Sequence, residues 1–116
     1  MNNRFKIITT IFITILSFYS CSKDDLEDNL DCEDFGTLSY SSHILPIIQP
    51  SCNTTACHTT GFSAGDFTTH AGVLQKVNNG SMRKRVLDKS MPQSSKLSDN
   101  DIRKLICWID AGALNN

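Results

Sequence analysis

Cys52-Asn53-Thr54-Thr55-Ala56-Cys57-His58 sets two thiols with four residues between them and an imidazole directly after the second. Three chemistries use such a run. The two thiols alone can close a disulfide, with the histidine incidental. Thiols and imidazole can enter a zinc site, but that needs four ligands, and no second Cys/His pair stands at a suitable spacing. Covalent haem attachment needs two thiols that reach the two vinyl groups on one edge of the macrocycle, and an imidazole beside the second thiol to bind the iron from one face. This last demand is the one the run meets in full. The usual motif has a shorter insert between its cysteines, so the loop 53–56 must bulge.

Outward from the motif, the chain reads as helices and loops. A helix is predicted from about Ser42 to Gln49 on the apolar residues Ile44, Leu45, Ile47 and Ile48. Pro46 fits it only in the first turn, where its missing N–H is not needed, and Pro50 stops it. Residues 59–69 are rich in Thr and Gly and read as a loop. A second helix is predicted over about 69–77, ended by Asn78-Asn79-Gly80, and a short one over Met82–Leu87. Residues 89–97, with Pro92 and several serines, read as a loop. The strongest prediction is the last helix. Ser98 is a good N-cap with Asp101 three residues on, Ile102, Leu105, Ile106 and Ile109 keep the helical period, and Gly112 ends it. Cys107 lies off that stripe, so it is expected to face another part of the chain rather than fill the core. Nothing alternates like a strand and nothing repeats. The expected fold class is all-α.

Further along, Met91-Pro92 precedes Leu97-Ser98 and the helix with Trp108-Ile109-Asp110-Ala111-Gly112-Ala113. With Ile44-Leu45-Pro46-Ile47-Ile48 ahead of the cysteines, residues 40–116 resemble the mono-haem cytochrome c domain family. The family uses a Met-Pro pair for the second axial ligand, opens its C-terminal helix with Leu-Ser and closes it with Trp-Ile-x-x-Gly-Ala. The resemblance implies a small helical domain around one covalent haem c. It matches Cys52 and Cys57 to the thioether cysteines, His58 to the proximal ligand and Met91 to the distal one. The insert of four residues departs from the commonest pattern. His43 and His70 are the rival ligands; a lone histidine is usually a surface or cap residue.

The N-terminus carries a different signal. Arg4 and Lys6 precede an apolar run from Ile7 to Tyr19, followed by Ser20 and Cys21. A basic start, a short apolar stretch and a small residue before a cut describe a secretory signal, here residues 1–20. The run is too short and too Thr-rich for a membrane span. Phe18-Tyr19-Ser20-Cys21 resembles the lipobox of bacterial lipoproteins, and Ser22-Lys23-Asp24-Asp25 resembles the export signal of surface lipoproteins of the Bacteroidetes. The resemblance implies an exported protein held at the outer membrane or cell surface by a lipid on Cys21. Asp24, Asp25, Glu27, Asp28, Asp31, Glu33 and Asp34 follow with no basic residue among them. Such a segment predicts a disordered, solvated tether over residues 21–37, with the folded domain at 38–116.

The chain has five cysteines. With Cys21 lipidated, Cys32, Cys52, Cys57 and Cys107 remain. They can form two disulfides in three ways, or Cys52 and Cys57 can take haem and leave Cys32 and Cys107 to pair. The latter division leaves no thiol over. The folded part, roughly 80 residues, is too small to bury a generous core and needs a staple. Arg83, Lys84, Arg85, Lys89 and Lys96 are too sparse, and too free of interleaved aromatics, for nucleic acid. They form a solvated face, or meet the haem propionates or an acidic redox partner. With His58 and Met91 both on the iron, no position is open for substrate. The expected role is therefore one-electron transfer by a monomeric carrier between redox proteins, not enzyme catalysis. The competing readings are an open-site haem protein and a haem-free, disulfide-stapled surface lipoprotein.

Overall fold

The computed structural model describes residues 26–116. The expected signal peptide at 1–20, the lipidation site Cys21 and the first residues of the tether lie outside them. Among the described residues the fold is a small all-helical domain without strands. None of its helices is long and apolar enough to cross a membrane.

Four α-helices carry the domain: α1 (Leu45–Ser51), α2 (His70–Asn78), α3 (Ser81–Leu87) and α4 (Asp99–Asp110). A wider π-type turn, Tyr40–Ile44, leads directly into α1. Pro46 falls in the first turn of α1, and Pro50 sits in its last turn, one residue before the helix ends. Thr69 caps α2 by accepting from the Gly72 N–H, and Ser98 caps α4 by accepting from the Asp101 N–H. Each cap satisfies a donor that the first helical turn leaves orphaned.

α4 is the spine of the core. It buries Ile102, Leu105, Ile106, Cys107 and Trp108, and packs on α3 and on the Tyr40–Ile44 turn. Trp108 stacks on Tyr40 with ring centroids 5.5 Å apart, and its indole N–H donates to the Leu114 carbonyl (3.0 Å). The C-terminal tail then returns to the wide turn, where the Asn116 side-chain oxygen accepts from the Tyr40 N–H (2.9 Å). Ile44 and Ile48 fill the space between α1 and this spine. Burying each such side chain contributes about 1.5–3 kcal/mol.

Residues 26–37 depart from the sequence expectation. The charge pattern predicts a solvated tether as far as residue 37, with the domain starting at 38. From Leu26 onward this segment lies on the domain instead, as two single 3₁₀ turns, Leu26–Asn29 and Glu33–Phe35. A Cys32–Cys107 disulfide ties it to α4 (Cα–Cα 5.5 Å). Arg83 bridges Glu27 (2.8 Å) and Asp110 (2.9 Å), and Arg103 donates to the Asp31 carbonyl (3.1 Å) while lying over the Phe35 ring. Leu26 and Leu30 pack on the core edge. Glu27 and Asp34 thus meet arginines far away in sequence, which composition alone does not reveal. Exposed pairs of this kind contribute only about 0–1 kcal/mol each, so the disulfide is the principal fastening. It also explains why Cys107 is buried although it stands off the apolar stripe of α4.

Candidate functional site

The motif begins where α1 ends. The Cys52 N–H closes the helix on the Ile48 carbonyl (2.8 Å). The insert 53–56 bulges into a turn closed from Cys57 N–H to the Thr54 carbonyl (2.8 Å), and the His58 N–H returns to the Cys52 carbonyl (3.0 Å). These bonds bring both ends of the run back together despite the insert. Cys52 and Cys57 are free thiols, each partly buried. Burial, reinforced by the neighbouring Cys57, pushes the Cys52 thiol up to about 11. A thiol raised that far is mostly protonated at ordinary pH.

The loop after the motif holds the imidazole. His58 Nδ1 lies 2.9 Å from the Gly65 carbonyl oxygen, which can only accept, so Nδ1 carries the proton and Nε2 keeps its lone pair. Phe67 stacks on the ring with centroids 4.0 Å apart and planes 10° apart, and Phe62 meets it edge-on at 5.6 Å. The loop closes on itself through the Phe67 N–H, which donates to the His58 carbonyl (2.8 Å). Ring direction and tautomer are thus fixed by the protein, the arrangement that prepares a histidine as a metal donor.

Met91 comes from the other side of the sequence. α3 ends at Leu87, and Lys89 takes a left-handed backbone (φ 57°) that reverses the chain. The Met91 N–H then donates to the Arg85 carbonyl (3.1 Å), laying the loop back along α3. The peptide bond between Met91 and Pro92 is cis.

Cys52, Cys57, His58 and Met91 all line one cavity of about 380 Å³. That volume falls within the range of about 300–1,000 Å³ typical of small-molecule and cofactor sites. Phe62, Ala64, Phe67, Met82, Val86 and Pro92 make its wall largely apolar, and no Asp or Glu belongs to it. Two other depressions, about 450 and 480 Å³, lie along α3 but are lined mainly by polar and charged side chains. The donor set fits a c-type haem: two accessible thiols, an imidazole with a free Nε2 and a thioether around one apolar space. Structural zinc asks for four Cys, His or carboxylate ligands, and the cavity wall offers three, Cys52, Cys57 and His58.

The rival histidines are occupied elsewhere. The exposed His43 accepts from the Ser39 N–H through Nδ1 (3.0 Å). His70 donates from Nε2 to the Ala113 carbonyl (2.8 Å) and lies edge-on to Tyr40. Neither lines the cavity, and neither do Cys32 and Cys107. Sequence reading did not single out Phe62, Phe67 or Lys76 as wall residues. Two phenylalanines in an otherwise polar loop were the available sign for the first two. Met82 is buried in the core and also faces this space. Against protein-family models, curated proteins and solved structures alike, the chain finds no match.

Proposed function

We propose that this protein is a one-electron carrier with a single haem c, joined by thioether bonds to Cys52 and Cys57 and ligated by His58 and Met91. When bound, the haem supplies a ferric/ferrous couple. The chain's own residues do the rest. The Gly65 carbonyl holds the proton on His58 Nδ1 and leaves Nε2 as the donor. Phe67 and Phe62 restrain the imidazole ring. Met91 offers a soft sulfur, which favours the reduced state. Phe67, Met82 and Val86 keep water from the wall and disfavour added positive charge. Were His58 and Met91 both to hold the iron, no position would be left for a substrate, and the role would be transfer between redox proteins rather than catalysis. Export, and anchoring at the outer membrane or cell surface through Cys21, belong to the same reading; the basic, apolar and Ser20-Cys21 pattern supports them.

The observation that carries this reading is the convergence of Cys52, Cys57, His58 and Met91, from two distant stretches, on one apolar cavity. The test is expression with a haem-attachment system, followed by mass and visible spectra. The expected protein gains the mass of one haem, keeps it through acid–acetone extraction and is low-spin. Extractable haem refutes covalent attachment. A high-spin spectrum means an open site, and no visible band means a haem-free, disulfide-stapled lipoprotein. Met82 lines the same cavity and is the one competing sulfur donor that the geometry favours.

A further inference from the structure

One rim of the cavity is rich in donors and poor in acceptors. It lies at the junction of α2 and α3, where Lys76, Asn79 and Arg85 line the space. The four ion pairs among the described residues engage Arg83, Lys89 and Arg103, and neither Lys76 nor Arg85. The Asn79 side-chain oxygen is already taken by the Ser81 N–H (3.0 Å), so its amide nitrogen is the end left to bond. Lys76 lies across Gly65, the residue whose carbonyl fixes His58. A side chain at Gly65 would meet Lys76 Cε at 2.6 Å, so the lysine runs there only because that residue is glycine. Two cations and a free amide therefore border an apolar space that contains no carboxylate of its own.

We infer that Lys76 and Arg85, assisted by Asn79, form a carboxylate clamp for the acidic groups of the molecule in this cavity. The inference rests on the haem reading, and the carboxylates are then the two haem propionates. An apolar body with carboxylates at one edge matches an apolar wall with cations at one rim. The clamp holds those groups ionised against the desolvation that the cavity imposes. The other titratable groups on the wall are Cys52, Cys57 and His58, which attachment and ligation would consume in the holo form; outside the wall, Lys84 and Asp88 stand by Arg85, which helps to hold the Asp88 carboxyl below its ordinary value.

The test is the reduction potential of the holoprotein over about pH 4–8. Wild type is expected to give a flat profile, because clamped carboxylates stay ionised across it. In Lys76→Gln/Arg85→Gln their protonation moves into the window. Deprotonation favours the ferric state, so the potential of this variant falls as pH rises. Lys76→Arg/Arg85→Lys, which keeps both charges, should restore the flat profile. Lys84→Ala, on the same helix but outside the cavity, should leave it flat. If the double variant fails to mature, each single glutamine variant is read in the same way. A normal c-type spectrum with an unchanged profile in the glutamine variants overturns the clamp and leaves the haem reading standing. Wild type without covalent haem overturns both.

Discussion

Removing the Cys32–Cys107 bridge is expected to destabilise the domain through its unfolded state. The bond joins residues 75 apart in sequence. Closing a loop of that length restricts the unfolded chain by about 4.5 kcal/mol at room temperature on the chain-entropy account, while measured native bridges usually give about 2–4. Attachment at Cys52 and Cys57 constrains only its own short stretch and leaves this loop entropy intact. Cys107 is 4% exposed, so alanine, a small apolar residue, is the replacement that adds least to the loss. Once the bridge is gone, the segment 26–37 keeps chiefly its exposed ion pairs, of about 0–1 kcal/mol each, and should detach. Denaturant unfolding of oxidised holoprotein should show Cys32→Ala/Cys107→Ala weakened by about 2–4 kcal/mol, with the melting temperature lowered by roughly 10 °C or more. Amide exchange in residues 26–37 should accelerate well beyond the rest. A loss below about 1 kcal/mol with this segment still protected would refute the reasoning.

Met91→Ala should convert a low-spin spectrum to high-spin and lower the potential, whereas Met82→Ala should stay low-spin and cost stability, about 2–5 kcal/mol for truncating a buried methionine; the reverse pattern assigns the ligand to Met82. Gly72→Ala should destabilise the domain by about 1–3 kcal/mol or more, because its Cβ would fall 1.7 Å from the Asp66 backbone oxygen and drive α2 away from the histidine loop; equal melting curves contradict that packing. Hydrogen bonds from the Thr68 side chain and backbone, and from the Gly61 backbone, hold the Asp66 carboxyl below its ordinary value. That support is present above the ordinary carboxylate pKa and is lost as pH falls through the lower folded value. Thr68→Ala should therefore lessen the acid sensitivity of this loop, and an unchanged pH profile by amide exchange counts against it.

The last helix was legible because its signals are local: Ser98 bonds to the next turn, and Ile102, Leu105 and Ile106 repeat on one face. Pro46 announced the start of α1 in the same way. Spacing and order along the chain singled out the motif cysteines, His58 and Met91, which the fold brings to one cavity. What escaped depends on partners distant in sequence. Acidic residues 26–34 read as tether because nothing nearby neutralises them, while Arg83 and Arg103 lie beyond the motif. Lys76 reads as an ordinary solvated lysine until the loop brings Gly65 beneath it. Phe67 reads as a loop residue until the chain folds back onto His58.

The thiol pattern of the finished domain also poses a sorting problem during its making. Cys52 and Cys57 are not paired with each other, while Cys32 and Cys107, which bracket them in sequence, are joined in a disulfide. Short loops close far more readily than long ones. In an oxidising compartment the newly made chain would therefore join Cys52 to Cys57 before Cys32 finds Cys107. The finished state needs the opposite outcome at both pairs. On the haem reading, a reductant would have to reopen the short bridge while the long one is spared, and burial of Cys107 in the folded core would shield that bond. On the same reading the helical core would assemble before the motif thiols are claimed, so that the order of folding would decide which sulfur goes where.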